Sequence, residues 1–357
     1  MTKNNIKEPA PYVISLLRPG DFAAYSSFIQ SFPDALYEHS LEIMNLIKNN
    51  FKFEPKYIIA KEEEKIVGVL PLFRARSILE GTRYVSIPFF PFGGVIGINL
   101  EVKMMLLEKA KEIARDGKFL EIRQRGILES DLTNGLIKQA PITDFLIEIK
   151  TSEEEMFASF SKDVRYDIRK AQRNNLQVII SSDQSQLDDF YRVYLNTRKK
   201  RGVPAWPYSL FKEALTTCPT IVAVTYIQDK PIAASFLFLE KDTIEYAFAG
   251  TDYRYNSISP YYLLLWEIIK YSIANNYHFL DLGGSTKEMN DGKMYSFKEK
   301  WATQTRDIPY YFYAADQRNI PSLKKSFGLY RLYGKVWSLL PTRIIQMISP
   351  FIIRQFK

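Results

Sequence analysis

The segment that decides the fold of this chain is IEYAFAGTDYRYNSISPYYLLLWEIIKYSIANNYHFLDLGG, which covers residues 244–284. Residues 245–249 alternate like a strand. Pro260 is a favoured first-turn residue and begins an apolar helix that reaches Ala274. A second strand covers residues 278–282. A strand, a helix and a further strand in this order are typical of an α/β sheet.

Two further motifs flank this segment. Asp163-Val164-Arg165-Tyr166-Asp167-Ile168-Arg169-Lys170-Ala171 is a basic helical stretch, and Phe297-Lys298-Glu299-Lys300-Trp301 follows downstream. Their order and spacing across residues 151–315 resemble the catalytic half of the Fem-type (FemABX) aminoacyltransferases, a family built from acetyltransferase-like (GNAT) domains. Leu70-Pro71-Leu72 and the loop of residues 91–95 resemble the branch of that family linked to exopolysaccharide and exosortase clusters.

The predicted elements occur in a similar order twice. Helices precede a hairpin, and a strand, a helix and a strand follow it, with no obvious sequence identity between the halves. We therefore predict an α/β fold of two tandem GNAT-like domains. The first covers residues 1–150, the second covers residues 151–317 and carries the transferase site, and a basic amphipathic tail covers residues 318–357.

Composition narrows the chemistry. Cys218 is the only cysteine, so the chain has neither an internal disulfide nor a zinc site of cysteine pairs. His39 and His278 are the only histidines, which gives little support to a Ser-His-Asp triad or a two-histidine metal site. The chemistry is expected from carboxylates, lysines, tyrosines, backbone groups or the substrate, with no metal.

The net charge of +8 belongs to the tail. Residues 318–357 contain eight Lys or Arg and no acidic residue, so the remainder holds 40 basic and 40 acidic residues. Such a tail favours an anionic membrane surface over DNA. The N-terminus lacks a signal-peptide pattern and no run of about 18 apolar residues occurs. We expect a cytoplasmic protein, peripheral on the inner face of the membrane.

The catalytic candidates are Lys298 and Asp281. Lys298 matches the lysine of the family's Phe-Lys motif, and a cation beside the scissile carbonyl stabilises the oxyanion that develops in acyl transfer. Asp281 ends a strand before two glycines, where α/β sites gather. It either orients Lys298 or the acceptor amine, or caps the following turn.

The start of the helix at Pro260, behind Ser259, is the predicted donor end, because backbone amides there can bind phosphate or carboxylate. Family members that use CoA have a glycine-rich turn at this place, whereas residues 250–257 hold one glycine. Either an aminoacyl-tRNA or an acyl-CoA is the expected donor, and no permanently bound cofactor is expected. The further substrate-binding candidates here are Tyr246, Tyr253, Tyr262 and Trp301. Because the chain contains 23 tyrosines, a place in the core is the favoured alternative for these three tyrosines.

Two basic clusters are candidates for phosphate binding, and both resemble family positions. The first consists of Arg165, Arg169, Lys170 and Arg173 on one helix. The second, which includes Arg198 and Arg201, closes the following helix, where cations also interact with the helix dipole. A solvated charged face is the alternative for both.

The tail holds Trp337, Leu340, Ile344, Ile345 and Ile348 beside basic residues, with Pro350 expected to break the helix. It is either an interfacial helix on a bilayer, which we favour, or a helix docked on the body.

The resemblance implies an acyl- or aminoacyltransferase that forms an amide on an amine of a cell-envelope precursor. That precursor is either a peptidoglycan precursor or an amino-sugar exopolysaccharide. Family members that build peptidoglycan bridges carry an inserted helical arm for which this chain has no room. The resemblance therefore does not decide whether the donor is an aminoacyl-tRNA or an acyl-CoA. The alternatives are an acyl-CoA-dependent N-acyltransferase on an amino sugar, and a non-catalytic protein that binds a lipid-linked glycan.

Overall fold

The computed structural model describes residues 11–78, 81–287, 292–321 and 337–355, apart from the side chain of Pro141. The chain forms two compact units. Unit 1 contains residues 1–48, 52–139 and 309–320, and unit 2 contains residues 49–51, 140–308 and 321–357. The units therefore divide the chain inside a strand at residue 139, whereas the sequence pattern placed the boundary near Lys150, and residues 309–320 return to unit 1.

Unit 1 begins with a strand and two helices, continues with strands, and has a third helix before its last strand. Its elements are β1 (Tyr12–Leu16), α1 (Phe22–Ser31), α2 (Leu41–Phe51), β2 (Glu54–Pro55), β3 (Ile58–Glu62), β4 (Lys65–Leu70), β5 (Leu72–Ser77), β6 (Gly81–Ser86), β7 (Ile96–Gly97), α3 (Leu100–Ile113) and β8 (Leu120–Arg123).

Two sheets organise unit 1. One has the order β1-β3-β4-β7 and is antiparallel, and the other contains β8-β6-β5-β2 with β6 and β8 parallel. Helix α3 buries Val102 and Leu106 in the same core as Ile58 and Leu70. The hairpin expected over residues 56–73 is confirmed, except that its second strand divides at Pro71, which has no backbone N–H to donate to a ladder.

Unit 2 contains the segment of residues 244–284. Its elements are β9 (Ile137–Glu148), α4 (Glu153–Ser159), α5 (Lys162–Arg173), β10 (Gln177–Ser181), α6 (Gln184–Lys200), α7 (Tyr208–Thr217), β11 (Thr220–Ile227), β12 (Lys230–Leu239), β13 (Thr243–Thr251), α8 (Pro260–Ala274), β14 (Phe279–Ser285), α9 (Lys293–Glu299), β15 (Gln304–Tyr313) and α10 (Thr342–Ile353). The first residues of β9 and the last of β15 belong to unit 1.

The sheet of unit 2 has the strand order β10-β11-β12-β13-β14-β9-β15 and is covered on both faces. One face packs against α5 and α8, where Ile168, Leu237 and Leu264 are fully buried. The other face packs against α6 and α7 through aromatic rings; Phe211 lies 5.2 Å from Phe236 between ring centroids. Alternate side chains of β12 therefore serve two cores, as expected for a strand covered on both faces.

One prediction for this unit was wrong and one strand was missed. The acidic helix start at residues 151–154 and the apolar stripe that continues to Ala171 predict one helix, but the structure divides this stretch into α4 and α5 at Phe160 and Ser161. Ser161 caps α5 by accepting a hydrogen bond from the Val164 N–H, and such a cap favours a new helix start over continuation. Strand β10 was not predicted, although Asn174-Asn175 before it and Ser182-Asp183 after it are typical turn residues.

The described part of the tail is docked within unit 2, which was the less favoured of the two alternatives. Ile345, Ser349 and Ile353 of α10 are buried, and the Ser349 hydroxyl accepts a hydrogen bond of 3.0 Å from the Ala205 N–H. Trp337 is also buried instead of exposed. The remaining tail residues, 322–336 and 356–357, lie outside the described residues.

Helix α10 continues past Pro350, where the sequence predicts a break, and one of its apolar faces is exposed. Pro350 lies inside the helix and does not end it, although it removes one backbone hydrogen bond there. Ile344, Met347 and Phe351 recur at helical spacing and remain exposed. Within the residues that the structure describes, no helix is long and apolar enough to cross a bilayer.

Candidate active site

The site lies where two neighbouring strands of unit 2 separate. Strands β13 and β14 pair in parallel only over Thr243–Glu245 and Phe279–Asp281, although β13 runs on to Thr251 and β14 to Ser285. Helix α8 begins at Pro260 after the loop that follows β13. The expected arrangement of separating strands with a helix start between them is thus present.

A bulge in β14 follows directly after the last paired residue. Asp281 lies opposite Leu146 and Gly284 opposite Asp144, so β14 holds one more residue than β9 between these pairs. Gly283 adopts a φ of 73°, a conformation that glycine reaches without strain. The bulge directs the carbonyl groups of Gly283 and Gly284 towards α9.

Lys298 on α9 binds this bulge. Its Nζ donates hydrogen bonds of 2.9 Å to the Gly283 carbonyl and 3.1 Å to the Gly284 carbonyl. An ammonium has three N–H groups, so one remains beyond these two bonds. The predicted catalytic residues Lys298 and Asp281 are therefore brought together on either side of one glycine turn.

Asp281 is buried and belongs to a cluster of three charged residues, the Asp144–Arg306–Asp281 cluster. Asp281 Oδ1 accepts a hydrogen bond of 2.7 Å from the Gly283 N–H. Arg306 Nη2 donates to Asp281 Oδ2 at 2.9 Å, and Arg306 Nε donates to Asp144 Oδ2 at 2.8 Å. The carboxylates of Asp144 and Asp281 are 1% and 5% exposed, so one guanidinium compensates two buried acids.

The surroundings shift the pKa of both catalytic candidates. Burial raises the pKa of Asp281 well above its usual value, and the negative charges of Asp144 and Glu245 add to this effect against Arg306. Burial also lowers the pKa of Lys298 from 10.5 to about 8, although the acidic neighbours oppose this. Lys298 is thus mainly cationic at neutral pH and loses its proton at moderately alkaline pH.

A cleft of about 510 Å³ opens beside this arrangement, and we name it the aromatic cleft. It is lined by Arg201, Thr251, Tyr253, Asn256, Ser259, Pro260, Tyr261, Tyr262, Lys293, Met294 and Phe297. The ring of Phe297 lies 5.4 Å from that of Tyr261 and 5.5 Å from that of Tyr262 between centroids. Because Phe297 directly precedes Lys298, the Phe-Lys motif joins the cleft to the bulge.

Cationic and polar groups lie at the wall of the aromatic cleft. Arg201 Nε donates a hydrogen bond of 2.9 Å to the Tyr253 hydroxyl, and Lys200 Nζ lies 4.4 Å from the centre of the Tyr253 ring. The Ser259 hydroxyl donates to Asp167 Oδ1 at 2.6 Å, which connects the start of α8 to α5. Four of the predicted binding residues, Arg201, Tyr253, Ser259 and Tyr262, therefore line one cleft.

The other predicted aromatic residues lie in the protein interior. Trp301 is 1% exposed and contacts the ring of Phe160 at 5.0 Å, so it is a core residue. Tyr246 is buried beside Tyr261, with ring centroids 6.0 Å apart, and does not line the cleft. Burial raises the pKa of Tyr261 to about 12, so its hydroxyl stays protonated at neutral pH.

Arg198 makes a contact to the backbone. Its Nε and Nη2 donate hydrogen bonds of 2.9 and 2.8 Å to the Pro204 carbonyl. These bonds fix the chain where it leaves α6. The sequence cluster at the end of α6 is therefore divided, because Arg201 faces the aromatic cleft and Arg198 supports the loop.

The remaining predicted cations lie on α5 and do not line the aromatic cleft. Arg165, Arg169 and Arg173 line a separate depression of about 520 Å³ together with Lys162, Asp163 and Tyr166. Arg169 is stacked at 5.1 Å on the Phe157 ring, and Lys170 lies on the same helix outside the lining. We call this surface the α5 basic face.

Sequence reasoning missed Asp144 and Arg306. A signal existed for Asp144, because it is a charged residue in the apolar stretch Phe145-Leu146-Ile147 of a strand. A charge in such a strand is expected to be exposed or paired. No comparable signal marks Arg306, which is one of several polar residues at the start of β15.

Comparisons with known proteins agree with this geometry. The family described as "Acetyltransferase (GNAT) domain" matches residues 158–298, from α4 to Lys298. The UDP-N-acetylmuramoylpentapeptide-lysine N(6)-alanyltransferase of Weissella viridescens is 24% identical over 134 residues, which are 37% of this chain. The match spans about 40% of that relative's length.

Two solved structures share the fold. FemX superposes with a TM-score of 0.64 at 13% identity, over 90% of this chain and all of that chain. A tandem GNAT protein from the clavulanic acid biosynthesis pathway gives a TM-score of 0.51 at 10% identity, over 87% of this chain and 99% of that one. The chain thus has a tandem GNAT-like fold, and its residues 158–298 are similar to the GNAT acetyltransferase domain family.

Proposed function

We propose that this protein is a Fem-like aminoacyltransferase that forms an amide bond on an amine of a cell-envelope precursor. The observation that carries the proposal is the position of Lys298. Two carbonyl groups of the β14 bulge fix its cationic Nζ at the place where β13 and β14 separate. The preceding residue, Phe297, lines the aromatic cleft. The similarity to an alanyltransferase that acts on a peptidoglycan precursor supports the substrate class.

The proposed step is an acyl transfer. The acceptor amine attacks the carbonyl carbon of the donor, a C–N bond forms, and the C–O bond of an ester donor or the C–S bond of a thioester donor breaks. The amine loses a proton and the leaving oxygen or sulfur gains one. The third N–H of Lys298 donates to the carbonyl oxygen as negative charge develops on it. A fixed donor of this kind contributes about 10²–10³ in rate.

The aromatic cleft suits the nucleotide end of the donor. Tyr253, Tyr261 and Tyr262 offer rings for stacking, and Arg201 and Lys293 offer positive charge for phosphate. Both aminoacyl-tRNA and acyl-CoA carry a nucleotide and phosphates. We propose aminoacyl-tRNA as the donor because the curated relative is an alanyltransferase. An acyl-CoA donor is the alternative outcome of the test.

The α5 basic face is the proposed contact for phosphates of the acceptor. Arg165, Arg169 and Arg173 surround a depression that contains only one acidic side chain, Asp163. Guanidinium groups bind phosphate through charge-assisted pairs of hydrogen bonds. A nucleotide-linked or lipid-linked precursor carries such phosphates, whereas an unphosphorylated exopolysaccharide chain does not.

We further propose that the tail holds the enzyme against the inner face of an anionic membrane. The exposed apolar residues Ile344, Met347 and Phe351 form one face of α10, and the tail contains basic residues without acidic ones. An apolar stripe beside positive charge is the pattern of interfacial helices, and each basic residue contributes about 1 kcal/mol near an anionic surface. Docking through Ile345 leaves this stripe available.

The function is tested by supplying each donor separately. The protein is incubated with charged tRNA or with acyl-CoA, together with a nucleotide-linked muramoyl peptide or an amino sugar, and the products are identified by mass spectrometry. An amide product formed only with charged tRNA supports the proposal. If transfer occurs only from acyl-CoA, the donor is acyl-CoA instead of charged tRNA. If no combination of donor and acceptor gives a product, the enzyme assignment is refuted.

A matched pair of variants tests the role of the lysine in this reaction. We expect Lys298→Met to lose about 10²–10³ in turnover with the fold intact by circular dichroism. Lys300→Met, which changes an exposed lysine two residues further along, is expected to keep the rate of the unmodified protein. Equal rates for the two variants contradict the assignment.

A further inference from the structure

We infer that Arg306, together with Asp144, is a positioning residue of the site, which fixes the β14 bulge and thereby holds Lys298. The inference rests on the proposed function for its catalytic meaning. Arg306 neither lines the aromatic cleft nor makes a described hydrogen bond to Lys298. A series of hydrogen bonds connects it to Lys298 through Asp281 and the glycine turn.

The first step of the argument is charge. Asp144 and Asp281 are almost completely buried, and Arg306 is hydrogen-bonded to both. An ionised carboxylate in a protein interior is strongly unfavourable unless it is paired. Loss of the guanidinium leaves two acids without this partner, so that the strands move apart and water reaches the carboxylates.

The second step is a continuous series of hydrogen bonds. Arg306 binds Asp281 Oδ2, Asp281 Oδ1 binds the Gly283 N–H, and the Gly283 carbonyl binds Lys298 Nζ. Every bond in this series is between 2.7 and 2.9 Å. Because Gly283 has a positive φ, no local preference other than these contacts fixes the direction of its carbonyl.

The third step is geometry, which favours arginine over lysine. Arg306 uses Nε towards Asp144 and Nη2 towards both acids, so one guanidinium contacts the two carboxylates through two of its nitrogens. A lysine ammonium at this position supplies the charge but not the planar fork. Arg306→Lys is therefore expected to restore only part of the effect of the arginine.

The charged groups that face Lys298 come from several elements of unit 2. They are Asp144 on β9, Arg201 after α6, Glu245 on β13 and Asp281 on β14. Loss of Arg306 makes this environment more negative and loosens the bulge that excludes water from the lysine. Both changes raise the pKa of Lys298 towards that of a free lysine.

Competitive labelling tests the inference without any assay of activity. The protein is treated with acetic anhydride over a range of pH, and acetylation of Lys298 is followed by mass spectrometry. We expect a midpoint of about 8 for the unmodified protein and about 9 or above for Arg306→Met. Arg306→Lys should fall between them. Arg192→Met, which breaks an exposed pair with Asp189, is the control and should leave the midpoint unchanged.

A double-mutant cycle then connects the position of the lysine to turnover. If Arg306 acts through Lys298, Arg306→Met lowers turnover with little change in KM. In a protein that already carries Lys298→Met, the same change should lower turnover by less than a further twofold. Equal losses in both backgrounds, or an unchanged labelling midpoint, overturn the inference. If Arg306→Met does not fold, Arg306→Lys carries both measurements. If Arg306→Met shifts the labelling midpoint of Lys298 but the protein transfers no acyl group, the proposed function is refuted and the positioning role of Arg306 stands.

Discussion

The pH dependence of turnover gives the sharpest test of Lys298 as a cationic catalyst. The perturbation is Lys298→Arg, because an arginine stays protonated throughout the accessible range. Burial lowers the pKa of Lys298 to about 8, so its cationic fraction is about nine-tenths at pH 7 and about one-tenth at pH 9. Above pH 8 the fraction of the unmodified enzyme in which Lys298 is cationic should therefore fall about tenfold for each pH unit.

The assay measures turnover of both proteins at saturating donor and acceptor between pH 6 and 10. The acceptor amine itself becomes more reactive as it loses its proton, and this rise affects both proteins. Dividing the turnover of the unmodified enzyme by the turnover of Lys298→Arg at each pH removes that rise. We expect a constant ratio below about pH 7, a midpoint near 8, and a fall of about tenfold per pH unit beyond it.

Two results refute this reasoning. A ratio that stays constant up to pH 10 means that the lysine is not the titrating catalyst or that its pKa is not lowered. A ratio that rises through pH 8 means that the neutral amine acts as a base instead of the cation as an oxyanion donor.

Three further changes have defined outcomes. Gly250→Ala places a Cβ 2.8 Å from the Tyr194 Cα, so the backbone must move, and chemical denaturation should show a loss of about 1–3 kcal/mol. Ser349→Ala leaves the buried Ala205 N–H without its acceptor, and the same measurement should show a loss of about 1–3 kcal/mol. Phe351→Asp puts a charge in the exposed stripe of α10, and binding to anionic vesicles in a sedimentation assay should be lost.

Each change has a control in the same protein. Gly20→Ala meets no atom within 4 Å and should be neutral, and equal losses at both glycines contradict the packing argument. Gln346→Ala, on the exposed side of α10, should stay within about 0.5 kcal/mol of the parent. Phe351→Asp should keep the unfolding midpoint of the parent, and undiminished vesicle binding by that variant disproves the membrane proposal.

The predicted elements of unit 2 were largely confirmed because local patterns determine them. The apolar run after Pro260 forms α8, and the strand that ends at Asp281 forms β14, with bounds that shift by a few residues. Helix α5 could be recognised from its stripe of Val164 and Ile168, but its start required knowledge of the cap at Ser161. Caps compete with helix continuation at similar free energy, so the sequence alone left that choice open.

The candidate site was only partly predictable. Phe297 and Lys298 were found from their motif, and Asp281 from its place before two glycines. Trp301 and Tyr246 were assigned to binding but lie in the interior, since aromatic residues serve cores and clefts equally well. Arg198 and Arg201 lie three residues apart, yet one supports a loop and the other faces the cleft.

The sequence by itself determined most of the order of the elements, the exclusion of an internal disulfide, and the concentration of positive charge in the tail. These follow from periodicity and composition, which are local or additive properties of the chain. Only the tertiary structure decided that Asp144 and Asp281 share Arg306, and that two glycine carbonyls hold Lys298. These contacts join residues from four separate elements, and their existence depends on a one-residue bulge in β14. No local pattern specifies a register between distant strands, so this part of the site exists only in the folded protein.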